Sequence, residues 1–248
     1  MLTILRGVFR LALFIAVLAF YVTRLVIINF FKGGDLDRGL RHRKQCCVTM
    51  MKVIGVETTF KGNIHEEDSY LYISNHRCYL DPVAELIKIT ALPVAKAEVA
   101  DLPIMGYGAS ITGVHFVKRE SLKSRKETRS SIAETIEGGK SILIYPEGTT
   151  IDTPTTASFK PGTFHMAAKD KVKIIPIAIE YGHVGDPWVG KDNMPIHFFK
   201  QFGMRNKKIT VHYGDPIWME DGEALKVAVR SWIDNALLDI RKDWGLPV

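Results

Sequence analysis

The residues best suited to chemistry here are a histidine and an aspartate in Ser74-Asn75-His76-Arg77-Cys78-Tyr79-Leu80-Asp81-Pro82. A carboxylate on one imidazole nitrogen fixes the tautomer and supports the imidazolium. The other nitrogen can then take a proton from a substrate hydroxyl. The flanks show how the pair would meet. Tyr70-Leu71-Tyr72-Ile73 is apolar and β-prone, and Val83-Ala84-Glu85-Leu86-Ile87 is helix-like. Asp81 stands where an N-cap belongs, with Pro82 at the first helical position. The expectation is that His76 leaves a strand end and Asp81 caps the next helix. An N-cap aspartate needs no chemistry, and a strand-end histidine is commonly a solvated loop residue, so the pair gains weight only from its company.

Two further stretches follow strands. In Tyr145-Pro146-Glu147-Gly148-Thr149-Thr150, Pro146 stops the ladder and Gly148 lets backbone approach a ligand. Glu147 is thereby presented at a strand's carboxyl end, where clefts in open α/β sheets form. Phe116-Val117-Lys118-Arg119 ends another strand with two cations that can hold a phosphate or carboxylate, Arg119 offering a bidentate fork. Phe159-Lys160-Pro161-Gly162 is a turn that can present a third cation, Lys160. The plain alternatives are an ordinary strand-to-loop turn and a solvated basic edge.

Other chemistries are excluded by spacing. Gly139-Lys140-Ser141 has Glu134 where a phosphate-binding loop needs its first glycine. Gly108 to Gly113 misses the nucleophile-elbow spacing by one residue. The eight histidines show no metal-ligand spacing. No metal and no tightly bound cofactor is expected.

The elements that must position these residues come next. The chain has 248 residues and a formal net charge of +6, which favours anionic partners. Nucleic acid is not among them, because no nucleic-acid motif and no interleaved aromatics accompany the charges. Cys46, Cys47 and Cys78 form neither a disulfide framework nor a zinc spacing, which fits a reducing compartment. From Gly7 to Phe31 the chain is nearly all apolar, and no small-x-small cleavage site follows. A spanning helix needs roughly 20 apolar residues. The segment reaches that length if Arg24 snorkels; otherwise it lies in the membrane interface. Lys32, Arg38, Arg41, Arg43 and Lys44 outweigh Arg6 and Arg10 on the other flank. That puts the body on the cytoplasmic face and suits anionic lipid headgroups. Residues 1–45 thus read as anchor and basic flank, and 46–248 as the functional domain.

In the body, strand-like runs (70–74, 92–95, 114–117, 141–145, 172–179, 209–213) alternate with helical ones (82–90, 101–107, 124–137, 164–168). Leu225, Val229, Trp232, Ile233, Ala236, Leu237 and Ile240 recur at helical spacing in a final amphipathic helix. Val48–Val56 reads as a helix end or short strand, and Gly182–Gly203 as an irregular surface loop near lipid. The alternation predicts an α/β fold, a mixed sheet flanked by helices.

Taken in order, Asn75-His76 with Asp81, Phe116 with Arg119, Pro146-Glu147-Gly148-Thr149 and Ile175-Pro176-Ile177-Ala178 resemble the glycerolipid acyltransferases typified by 1-acylglycerol-3-phosphate acyltransferase. The resemblance runs from about Tyr70 to Tyr213. It implies that His76 is the general base and Asp81 its orienter. A lysolipid hydroxyl attacks the thioester of acyl-CoA or acyl-carrier protein, with no acyl-enzyme. Asn75, Lys118, Arg119, Glu147, Gly148, Thr149 and Lys160 would then contact the substrates, and the bilayer supplies the acceptor. Two positions depart from the pattern. Thr150 stands where arginine usually follows E-G-T in enzymes acting on lysophosphatidic acid, so Lys160 or Lys118 must substitute or the acceptor differs, lyso-ornithine lipid being one choice. Tyr145 stands where Phe is common, an exchange expected to be harmless. Readings of other classes are a non-catalytic lipid-binding module, which has no use for the His76–Asp81 pair, and a thioester hydrolase.

Overall fold

Short runs of β-branched and aromatic residues pair into one mixed sheet. The computed structural model describes residues 2–117, 122–190 and 192–248. Its strands are β1 (Val56–Lys61), β2 (Leu71–Ser74), β3 (Ala91–Lys96), β4 (His115–Val117), β5 (Ser141–Ile144), β6 (Ile174–Tyr181) and β7 (Lys207–Tyr213). They lie in the order β1-β7-β6-β2-β5-β3-β4. All neighbours are parallel except β6 and β7. The central strands β2, β5 and β6 are buried at every position, as parallel strands covered on both faces must be.

The strand period of two sends alternate residues to opposite faces. Leu71 and Ile73 join the core under α5 (Leu122–Glu137), α6 (Gly162–Lys169) and α8 (Gly222–Asp243). Tyr70 and Tyr72 join the core under α1 (Leu2–Lys32), α2 (Leu36–Ile54), α3 (Asp81–Glu85) and α7 (Met194–Phe202). Helix α4 (Met105–Ile111) follows a 3-10 turn at Ala97–Asp101. Helix α8 shows why its stripe was readable. Leu225, Val229, Ile233 and Leu237 are all fully buried, and Asp221 caps the start by accepting from Glu223 N and Ala224 N at 2.7 and 3.2 Å. Each such burial is worth about 1.5–3 kcal/mol.

Helix α1 is laid along the body. It runs against α2, with Tyr21 Oη 3.0 Å from Thr49 Oγ1 and Arg38 donating to Asn29 Oδ1 at 3.0 Å. Arg6 donates to Gly203 O at 3.0 Å, and Arg10 to Phe202 O and Met204 O at 2.7 and 2.8 Å. These cations satisfy the carbonyl end of α7 and its dipole. The opposite side of α1 leaves Leu5, Val8, Phe9, Ile15, Phe20, Ile27, Phe30 and Phe31 exposed. Helix α2 continues unbroken through residue 45 until Gly55 caps it in the left-handed region at φ 67°.

Several local readings change. The helix expected over 82–90 is only α3, because Ile87, Ile89 and Thr90 are β-branched and chain bound for β3 follows at once. The helix that ends near residue 54 begins at Leu36, and β1 follows it. Nine residues of the supposed irregular loop 182–203 form α7. Asn193 caps it by accepting from Ile196 N at 3.1 Å, and Pro195 sits in its first turn, where proline is tolerated. Phe198 and Phe202 are buried against α1 rather than facing lipid. The basic flank is also thinner than its sequence. Arg43 points inward, and Lys44 donates to Lys88 O at 3.1 Å.

Candidate active site

Strands β2 and β5 are parallel neighbours, so the loops leaving their carboxyl ends emerge side by side. One carries His76, the other Glu147. His76 Nδ1 lies 2.7 Å from Asp81 Oδ2. A carboxylate partner puts the ring proton on Nδ1 and leaves Nε2 to accept. The imidazole is 23% exposed while Asp81 is fully buried, so one end of the pair is accessible and the other is not.

Asp81 does not cap its helix, contrary to the expectation. Leu80 is the N-cap, without a side-chain bond. The Asp81 carboxylate turns back to the loop instead. It accepts from Arg77 N at 2.6 Å, Cys78 N at 2.9 Å and Tyr181 Oη at 2.7 Å, besides His76. Four donors on one buried carboxylate compensate the loss of water around a negative charge. Tyr181 carries no signal in the sequence. It is 100 positions away, and nothing local marks it.

Two residues expected to touch substrate brace the loop instead. Asn75 is fully buried; its Nδ2 donates to Ile179 O at 2.9 Å and its Oδ1 accepts from Ile179 N at 2.8 Å. That two-bond clamp ties the loop after β2 to β6. Glu147 Oε2 accepts from His76 N at 2.7 Å and Oε1 from Ala157 N at 2.9 Å. Burial pushes its pKa up, and the two N–H donors oppose this. Gly148 turns the chain at φ 76°, a conformation that strains any side chain. Gly148 and Thr149 line the cavity beside His76. Thr150 lines it too, but its hydroxyl donates to Trp188 O. Lys160 sits in the exposed turn before α6 and is not on the cavity wall. Lys118 and Arg119 lie outside the described residues.

The cavity itself is a channel of about 970 Å³. It begins at His76, Tyr145 and Gly148 and runs between the α1–α2 hairpin and the segment holding α4. Its α1 wall extends from Leu11 to Leu25, about 21 Å at 1.5 Å per residue. Arg43 lines it toward the far end, donating to Thr112 O at 2.9 Å and to Ala91 O. Ala91 opens β3, so this end lies at the edge of the sheet away from His76. Burial lowers the Arg43 pKa to about 10. The wall between the two ends is mostly apolar, with room for a long hydrocarbon. Lys96, at the carboxyl end of β3, also lines it. In the sequence Lys96 carries the same signal as Lys118 and Arg119, a cation ending a strand.

The site thus sets a histidine–aspartate pair beside an apolar channel. The family model described as Acyltransferase matches residues 55–180. The chloroplastic 1-acyl-sn-glycerol-3-phosphate acyltransferase LPAT1 of Arabidopsis thaliana is 32% identical over 110 residues, 44% of this chain and 31% of that one. The lyso-ornithine lipid O-acyltransferase of Brucella abortus is 28% identical over 212 residues, 75% and 79% of the two chains. The match to the plant enzyme thus spans about a third of that relative's length. The crystal structure of the 1-acyl-sn-glycerophosphate acyltransferase PlsC from Thermotoga maritima superposes with a TM-score of 0.65 over 90% of this chain and 95% of that one. At 16% identity that likeness concerns the fold.

Proposed function

Because this chain belongs to the acyltransferase family, we propose that it transfers a fatty acyl group from an acyl thioester to the free hydroxyl of a lysolipid at the membrane surface. The observation that carries this reading is the His76–Asp81 pair at the mouth of a channel sized for an acyl chain. His76 Nε2 takes the acceptor's hydroxyl proton as the oxygen attacks the thioester carbonyl. Asp81 supports the imidazolium. The tetrahedral intermediate collapses with cleavage of the C–S bond, and the proton passes to the leaving thiolate. The products are an ester and a free thiol, CoA or carrier-protein thiol according to donor.

The leading acceptor is 1-acylglycerol-3-phosphate, giving phosphatidic acid. Lys96, with Lys118 and Arg119 next in sequence after β4, supplies cations for its phosphate. A second acceptor, lyso-ornithine lipid, is favoured by one feature. Thr150 leaves the site without the usual arginine, and its hydroxyl is engaged by Trp188. The Brucella abortus relative, matched over most of both chains, carries that activity in its name. Helix α1, apolar outside and bonded to α7 inside, fits a helix lying in the interface, with the body on the cytoplasmic face.

The test offers radiolabelled palmitoyl-CoA with lysophosphatidic acid and lyso-ornithine lipid, side by side, to membranes holding the full chain. Labelled product and thiol release that both require lysolipid are expected; thiol release without lysolipid would mean hydrolysis. His76→Ala should lower turnover about 10²–10⁴-fold with the fold intact. Transfer at the normal rate by that variant would remove His76 from the mechanism.

A further inference from the structure

Helix α3 carries two buried carboxyls one turn apart, Asp81 and Glu85, and the mechanism above uses only the first. Residues four apart leave the same side of a helix. Asp81 takes the edge of the His76 ring. Glu85 reaches its face through a third residue. Tyr145 Oη lies 2.6 Å from Glu85 Oε2, and the Tyr145 ring is stacked on the imidazole with centroids 4.3 Å apart and planes 26° from parallel. Glu85 Oε1 is 2.6 Å from Ser74 Oγ, which is 3.1 Å from Asn75 O.

One proton on Glu85 satisfies every group in this chain. Oε1–H donates to Ser74 Oγ, the Ser74 hydroxyl donates to Asn75 O, and Tyr145 O–H donates to Oε2. Burial, then the charge of Asp81, hold the Glu85 pKa well above the carboxylate range, in keeping with the neutral acid. The oxygen that makes the link is the one a phenylalanine lacks.

We propose that Glu85 is a positioning residue for proton transfer at His76, acting through Tyr145. A single hydrogen bond at Nδ1 leaves an imidazole free to tilt into the channel beside it. The Tyr145 ring closes that side, and the Glu85 carboxyl fixes the ring. Edge and face together set the plane in which Nε2 meets the acceptor hydroxyl. This inference rests on the acyl-transfer reading, and it concerns kcat rather than substrate affinity.

The test compares Tyr145→Phe, Glu85→Leu and Glu85→Gln in the full chain, reading acyl transfer and the NMR signal of the His76 ring. Tyr145→Phe and Glu85→Leu should lower kcat about ten- to hundredfold. KM should stay within about twofold. The His76 Hε1 resonance should move as the ring leaves the aromatic face. Glu85→Gln should recover most of kcat, because its amide can accept from Tyr145 and donate to Ser74. If Glu85→Leu does not fold, Tyr145→Phe, which deletes one oxygen, carries the test. Normal kcat and an unmoved His76 resonance in Tyr145→Phe, with His76→Ala inactive, would overturn the positioning role and leave the acyl-transfer reading standing. Equal transfer by wild type and His76→Ala would instead overturn that reading, and the resonance would still decide whether Tyr145 holds the ring.

Discussion

The two faces of the sheet are built to different ends. Under α5, α6 and α8 the core is closed, with Phe164, Leu225, Val229, Ile233 and Leu237 fully buried. Under α1, α2 and α4 the helices stand far enough off the sheet to leave a channel of about 970 Å³. Both faces are apolar, and both belong to the same strands, whose alternate residues supply them. Hydrophobicity therefore specifies the fold on both sides but cannot by itself specify the void. What the open face has in addition is polar ties between its elements, Arg43 on the carbonyls of Thr112 and Ala91 and Arg10 on the end of α7.

The largest difference should appear on cutting equivalent holes in each face. Phe164→Ala removes a ring stacked on Phe159 at 5.9 Å in the closed core. It should cost about 3–5 kcal/mol in urea unfolding. Leu18→Ala, on the channel wall, enlarges a void already present and should cost less. Equal losses would mean that the channel face is packed as tightly as the other.

Asn75 tests whether the loop on the open side needs its clamp. Asn75→Ala leaves Ile179 N and Ile179 O unpaired in a buried place. Each orphan costs about 1–3 kcal/mol. Turnover should fall with stability, since the next residue is His76. Full turnover in a destabilised protein would show that the clamp serves the sheet alone.

Filling the channel should do the reverse. Val22→Phe narrows it between α1 and Gly108, against which Val22 already packs. Transfer from a long-chain thioester should fall relative to a short-chain one by about 10–200-fold, the range set by small changes in an apolar pocket. Urea midpoints should barely move. A uniform loss for every chain length would place the acyl chain elsewhere.

The same contrast explains what was legible. Helix α8 and the central strands announce themselves because burial imposes a period, and His76 with Asp81 because the two are close in sequence. Helix α7 hid behind Pro195 and its aromatics, which serve packing rather than a lipid surface. Asn75 and Glu147 stood out by residue type, but their direction did not: whether a polar group faces substrate or braces a loop depends on partners such as Ile179 and Ala157. Tyr181 on Asp81 and Arg43 at the channel end were invisible for the same reason. Each contact is made by tertiary geometry alone.

Glu85 gives the smallest effect per step and a sign that can be worked out in advance. Its folded pKa is raised by burial and by Asp81, so the folded chain keeps a proton that the unfolded chain releases in the ordinary carboxylate range. The stability this contributes is fully present below that range and is lost as pH rises toward the folded pKa. The loss is at most about 1.4 kcal/mol per pH unit. Glutamine has no such proton. Urea midpoints of Glu85→Gln, followed from pH 5 upward, should therefore fall less steeply than those of the wild type, the two curves parting as pH rises. Parallel curves would mean that Glu85 is ionised in the folded protein, and the proton linking it to Ser74 would have to be withdrawn. Diverging curves would place a neutral acid one helical turn from the charge on Asp81, which is how one short helix can hold a base by its edge and its face at once.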